Sequence, residues 1–329
     1  MAKVIIGIHG LGNKPPKELL EKWWKKAILE GFNKLALPVP EFKFELVYWA
    51  DLVYPYPENP AISDKKNPYY LEEPYTPSPE EEAIENKSYS WRKKILQFIE
   101  KELEKVFLNE DLSLNYAEVS DAIMYKYFME LELYYGASNH QITLKQKTRN
   151  RLLDLIEKHK YDEIMILSHS MGTIIAYDVL QFELKNRPIH TFVTMGSPLG
   201  LPFIRAKIAK EIKSVGNQLK ISTPECVASS WINFADLEDK IALNFDLNND
   251  FTSNSKGIQV FDYEIKNDYS VNGVKNPHKI YGYLRSKEFI AQLQLFLTEK
   301  KELSIKNIVK NIRKIGHQIK YSTRLKQTI

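Results

Sequence analysis

A single cysteine, Cys226, stands among the 329 residues, so no internal disulfide can form and the fold needs no oxidising compartment. Uninterrupted apolar runs of the roughly 18–20 residues that a membrane span requires are missing as well. Met1-Ala2-Lys3 leads directly into a strand-like run, without an apolar leader and cleavage site. Together these absences predict a cytoplasmic chain, at most peripheral to a membrane. Neither a G-x-G-x-x-G pattern nor a P-loop lysine follows the Gly-rich turn near the start, which argues against nucleotide binding.

What is present suffices for one or two ordinary cores: 43% of the residues are hydrophobic, and 46 Lys and Arg nearly balance 42 Asp and Glu. The net charge of +4 conceals a split. Residues 300 to 329 hold nine basic side chains and one acid, Glu302, a net of +8, which leaves −4 for the first 299 residues. Ile305, Ile308, Val309, Ile312, Ile315 and Ile319 recur there at helical spacing with lysines and Arg313 between them. This is a basic amphipathic helix, fit for an anionic membrane surface or for docking on the chain's own acidic body. No nucleic acid partner is expected, because no reading motif accompanies the charge.

Lys3-Val4-Ile5-Ile6-Gly7-Ile8 has the near-continuous β-branched character of a strand buried on both faces of a parallel sheet, and it ends in the turn His9-Gly10-Leu11-Gly12. A helical pattern from Leu19 stops at Gly31, where glycine can adopt the left-handed conformation that ends helices, and Phe42 to Trp49 reads as a second strand. Then the alternation breaks. Seven of the sixteen prolines fall between Pro55 and Pro79, and two long helical patterns follow, about Ser88 to Leu108 and Ala117 to Tyr135. Residues 55–140 are therefore read as an insertion, net −8, between core segments 1–54 and 141–299. Its second helix carries more apolar and aromatic surface than one buried stripe requires, which suits either a self-packed hairpin or a roof over a site.

Alternation resumes with a helix from Leu144 to Lys160 and strand Glu163 to Leu167. The turn Ser168-His169-Ser170-Met171-Gly172 leads into a helix to about Leu184, and strand Thr191 to Met195 ends at Gly196-Ser197-Pro198. Strands at Ser230–Phe234 and Ile258–Phe261 and a helix from Tyr283 to Leu297 complete the core. The prediction is an α/β fold with a mostly parallel sheet of at least six strands flanked by helices, interrupted once.

A serine on so sharp a strand-to-helix turn is thrust out of the sheet, and the N–H of the next residue heads a helix where an oxyanion would form. The positions two before and two after it must be small, as Ser168 and Gly172 are. The motif resembles the nucleophile elbow of the α/β-hydrolases, with Ser168 in place of the usual first glycine. The resemblance, which covers roughly residues 3–54 and 145–297, implies Ser170 as nucleophile, then an acid and a histidine in that chain order. His278, before the closing helix, occupies the histidine's place. In the acid loop Asp239 is followed by x-Ile as in the family, while Asp236, nearer the strand end, is the alternative. His9-Gly10 resembles the HG-type turn of lipases and esterases, which implies the N–H groups of Leu11 and Met171 as oxyanion donors and a structural part for His9. Gly196-Ser197-Pro198 also recurs in lipase-like members.

The family likeness thus implies a lipase- or esterase-like serine hydrolase with no metal or organic cofactor, acting on a small-molecule ester with a lipophilic acyl group, residues 55–140 forming a helical cap or lid. Thioester and amide hydrolysis use the same machinery. The rival from another class is a non-catalytic protein of this fold recruited to a membrane or partner by its tail.

Overall fold

The computed structural model describes residues 2–79, 107–108, 114–115, 122–136, 143–184, 187–215, 220–239, 241–242 and 246–299. The expected basic helix at 300–329 and about half of the expected cap lie outside the described residues.

The elements in chain order are β1 (Lys3–Ile8), α1 (Lys17–Lys34), β2 (Lys43–Val47), the two-residue strands β3 (Phe107–Leu108) and β4 (Leu114–Asn115), α2 (Ala122–Tyr135), α3 (Leu144–Lys158), β5 (Glu163–His169), α4 (Met171–Asp178), β6 (Ile189–Met195), α5 (Pro202–Ser214), β7 (Val227–Asp236), β8 (Val260–Ile265), α6 (Ile280–Leu284) and α7 (Lys287–Thr298). Six strands form one parallel sheet in the order β2-β1-β5-β6-β7-β8. Burial on both faces explains the continuous apolar runs: along β1, Val4, Ile6 and Ile8 enter one core with α2 to α5, whereas Ile5 enters another with α1, α6 and α7.

The order of connection fixes where a ligand can sit. From β1 the chain steps outward to β2 and then returns to place β5 on the other side of β1. The C-terminal ends of β1 and β5 therefore flank the point where the winding reverses, the crevice in which open α/β sheets bind ligands. His9-Gly10 leaves one of these ends and Ser170 the other.

Several expected boundaries are corrected. Helix α1 does not stop at Gly31 but continues to Lys34 and closes at Ala36, which itself adopts the left-handed conformation at φ 50°. Gly31 serves packing instead, since a Cβ there would lie 2.6 Å from Ile290 Cγ1 and 2.9 Å from the Arg285 Cα. The helix after Ser170 is α-helical only to Asp178 and ends in a π-turn, Val179–Glu183. The closing helix is two helices, parted at Arg285-Ser286 where Ser286 Oγ accepts the Phe289 N–H. Phe107–Leu108 pairs with Leu114–Asn115 as a short ladder where a helix end was expected.

The first part of the expected cap is a strap on the body. Residues 55–79 contain no helix or strand, as their prolines require. Tyr75 Oη donates to Glu30 Oε2 at 2.6 Å, Arg285 donates to the Thr76 carbonyl at 2.7 Å, and Glu73 accepts from Asn276 at 2.6 Å and pairs with Lys279 at 3.0 Å.

Candidate active site

Ser170 stands between β5 and α4 with φ 53° and ψ −128°, a backbone conformation that costs a non-glycine residue about 1–3 kcal/mol and persists only where the surroundings impose it. Those surroundings are visible. The Ser170 N–H donates to the Met195 carbonyl at 3.0 Å, the Ser170 carbonyl accepts from Thr173 Oγ1 at 2.7 Å, and Ser168 Oγ satisfies itself on the Val193 carbonyl at 2.7 Å. The tight crossing leaves no space beside the serine: a Cβ on Gly172 would meet the carbonyl oxygens of Ile8 and His9 at 2.6 and 2.7 Å, and one on Gly10 would meet Ser170 Cβ at 2.6 Å.

His278 Nε2 lies 2.9 Å from Ser170 Oγ, and its Nδ1 lies 2.8 and 2.9 Å from the two carboxylate oxygens of Asp239. A carboxylate accepts, so Nδ1 carries the proton and Nε2 is left to accept the serine hydroxyl. Asp239 is fully buried and its other partners are donors: Tyr283 Oη at 2.8 Å on Oδ2, and the N–H groups of Ile241 at 2.9 Å and Ala242 at 3.4 Å on Oδ1. The two acids of the loop are thereby told apart. Asp236 does not reach His278; its oxygens accept the N–H groups of Glu238 at 2.8 Å and Asn267 at 2.6 Å, joining the loop to the segment after β8, and burial pushes its pKa up to about 6.

His9 is structural in a specific way. The Trp49 N–H donates to its Nε2 at 3.0 Å, so Nδ1 must carry the proton, and Nδ1 lies 2.8 Å from the Gly10 carbonyl. The ring stacks on Trp49 with centroids 5.0 Å apart, and burial, aided by Lys14, holds its pKa well below 6.5. With the Gly10 carbonyl held on one side, the N–H of Leu11, across the same trans peptide, faces the other way. Met171 is the first residue of α4 and its N–H has no acceptor within the helix. Both expected oxyanion donors are thus backbone groups left over by the local structure.

His169 donates Nε2–H to the His278 carbonyl at 2.7 Å, and its ring lies 4.8 Å from that of His278. Burial first, then the nearby His278 charge, holds its pKa well below 6.5. Its neutral form is therefore favoured by folding: the stability it contributes is complete above pH 6.5 and drains away as the pH falls below that value, because only the unfolded chain takes up the proton. His169→Gln keeps a donor at the Nε2 position without the titration. Denaturant unfolding between pH 6.5 and 5 is expected to lose about one proton of slope in this variant, ~1.4 kcal/mol per pH unit; an unchanged slope would show that His169 protonates in the folded protein.

Two further residues contribute: Tyr283, which had no signal in the sequence, and Gly196, which the sequence offered only through its Gly-Ser-Pro turn. Tyr283 Oη bridges both acids of the loop, donating to Asp239 and accepting the Asp236 N–H at 3.1 Å. Gly196, at φ 54°, lies where a Cβ would stand 2.8 Å from Asp239 Oδ2 and 3.1 Å from His278 Nδ1, so the Gly-Ser-Pro turn gives the acid and the histidine room to meet.

A cavity of about 520 Å³ opens beside Ser170, within the usual size of small-molecule sites. Its lining includes the apolar Leu20, Trp24, Ile280 and Tyr281 and the charged Lys14, Glu58, Glu73 and Lys279. Among the described residues no group of three His, Cys, Asp or Glu could hold a metal, and no helix is long and apolar enough to cross a membrane. Compared with known proteins, the chain matches no protein-family model and no curated protein.

Proposed function

We propose that the protein is a serine hydrolase of the α/β-hydrolase type, cleaving a carboxylic ester with a lipophilic acyl group. The observation that carries this reading is the unbroken relay from Ser170 Oγ through His278 to a buried Asp239, with the serine held at φ 53°. Ser170 Oγ attacks the ester carbonyl carbon while its proton passes to His278 Nε2. The carbonyl oxygen becomes an oxyanion between the N–H groups of Leu11 and Met171. His278 returns the proton to the departing alkoxide, and a water, activated by the same nitrogen, releases the acid from the acyl-enzyme. Asp239 keeps the proton on Nδ1 and stabilises the imidazolium. These steps draw on side chains and backbone alone. The apolar side chains in the cavity lining, Leu20, Trp24, Ile280 and Tyr281 among them, support the lipophilic acyl part.

A fluorophosphonate probe tests the reading directly, because it phosphonylates only an activated serine. The full chain is expected to be labelled on Ser170, and Ser170→Ala is expected to remain unlabelled while melting at the same temperature. Equal labelling of both proteins, or none of the folded wild type, overturns the proposal; the second result would leave a non-catalytic binding protein of this fold.

A further inference from the structure

The oxyanion turn is held by three side chains, two from the β1–α1 turn itself and one from the insertion. His9 fixes the Gly10 carbonyl. Lys14 Nζ donates to the carbonyls of Leu11, Gly12 and Asn13, the last two at 2.9 and 3.2 Å. The remaining constraint comes from α2: Glu130 Oε2 accepts the Gly12 N–H at 2.7 Å. In a trans peptide the carbonyl and the N–H point in opposite directions, so the Leu11–Gly12 peptide is gripped at both ends, by Lys14 on its oxygen and by Glu130 on its nitrogen. The peptide before Leu11 is fixed by His9 and the one after it by Glu130.

Glu130 is itself held. Only 4% of it is exposed, and its second oxygen accepts the Tyr54 hydroxyl. One turn further along α2, Tyr134 Oη donates to Asp178 Oδ2 at 2.8 Å, where Arg149 also binds at 2.8 Å. Phe128 and Leu131 pack into the core below the same helix. The helix is thus docked through buried groups on both sides of Glu130, and the carboxylate is directed at the turn rather than at solvent.

We propose that Glu130 is a positioning residue through which the inserted helix completes the oxyanion hole, so that docking of α2 is a condition of hydrolysis. The inference rests on the serine-hydrolase reading. An oxyanion hole acts by being set in advance: donors that must reorganise as charge develops lose their advantage. Losing the Glu130 grip frees the Leu11–Gly12 peptide to rotate, which weakens transition-state binding and leaves ground-state binding nearly as it was.

The test compares Glu130→Met, which keeps length and apolar packing but no strong acceptor, with Glu130→Gln, whose amide oxygen can still accept the Gly12 N–H. On a p-nitrophenyl ester the Met variant is expected to lose about tenfold in kcat with KM within threefold, a loss confined to the transition state. Affinity for a trifluoromethyl ketone, which forms a reversible tetrahedral adduct, should fall by the same factor as kcat/KM. The Gln variant should recover to within threefold of wild type. A purely structural role predicts a lowered melting temperature with kcat and inhibitor affinity unchanged, and that result overturns the proposal, as does equal kcat in the Met and Gln variants. Should the Met variant not fold, Tyr54→Phe decides: a two- to fivefold fall in both kcat and ketone affinity is expected, and no change in either overturns the proposal. Wild-type protein without Ser170-dependent fluorophosphonate labelling sinks the hydrolase reading itself, whereas normal labelling with an active Met variant sinks only the part given to Glu130.

Discussion

Ser170→Ala is expected to lower kcat for ester hydrolysis by about 10⁶-fold and Asp239→Asn by about 10⁴-fold, with the triple variant that also lacks His278 no slower than Ser170→Ala alone. The losses do not add because the three side chains act as one relay, and removing any link stops the same proton transfer. For Asp239 the local geometry says how the loss arises. Each of its close partners is a donor: His278 Nδ1, Tyr283 Oη and the Ile241 N–H. An asparagine has one oxygen to offer where the carboxylate offers two. The Ile241 N–H is fixed in the backbone, so the amide oxygen takes the Oδ1 position and the NH₂ takes Oδ2, facing His278 Nδ1. That nitrogen must then accept, the imidazole proton moves to Nε2, and the histidine meets Ser170 with a proton where it needs a lone pair. Asp236→Asn is the control, since its carboxylate touches backbone N–H groups and not the histidine. It is expected to cost about 1–3 kcal/mol of stability and to change kcat of the folded protein by less than tenfold. Steady-state rates on a p-nitrophenyl ester with parallel unfolding curves check both. Reversed ranking of the two aspartates would mean that the relay runs through Asp236.

The parts of this site that were legible in the sequence are those fixed by local rules. A strand buried on both faces advertises itself by composition, and the small residues flanking Ser170 follow from the crossing of β5 and α4 over the end of β1. His278 could be placed by its position before the closing helices. The choice between Asp236 and Asp239 could not be closed, because they stand three residues apart at the end of β7 and only the placing of His278 against Asp239 separates them. Glu130 carried no signal at all: it is one of two acids in an otherwise largely apolar helix, and its two partners lie 118 and 76 residues away. Gly31 misled for a related reason. A glycine near a helix end can stop the helix or admit a neighbour, and the neighbour here, Ile290, comes from the far end of the chain. The apolar periodicity of Tyr283 to Leu297 likewise runs through the break at Arg285, whose guanidinium is turned to Glu30, Asp268 and the Thr76 carbonyl.

Gly172→Ala is expected to produce the largest effect of any single change that leaves the relay side chains intact. The added methyl would stand 2.6 Å from the Ile8 carbonyl oxygen, 2.7 Å from that of His9 and 3.1 Å from the Ile8 carbonyl carbon, all of them backbone atoms. None can swing aside as a side chain could. Strand β1 is held on both edges, with Ile8 in register with Val47 and with Ser168, and α4 is tied at its start by Thr173. Relief therefore requires the end of β1 and the first turn of α4 to separate by a large fraction of an ångström. Overpacking of this kind costs about 1–3 kcal/mol, and more where backbone must move. The same separation has a catalytic consequence, since Leu11 follows the end of β1 and Met171 begins α4. Spreading them opens the pair of donors, and loss of one donor from an oxyanion hole costs about 10²–10³-fold in kcat. The expected result is thus a lowered melting temperature together with a fall of that order in kcat and in trifluoromethyl ketone affinity, while Ser170 and His278 remain in contact. Because packing and chemistry are damaged by one displacement, a stabilising substitution elsewhere should restore the melting temperature and not the rate. Recovery of both by such a distant substitution, or a variant with kcat within threefold of wild type, would show that the closeness of β1 and α4 serves stability alone.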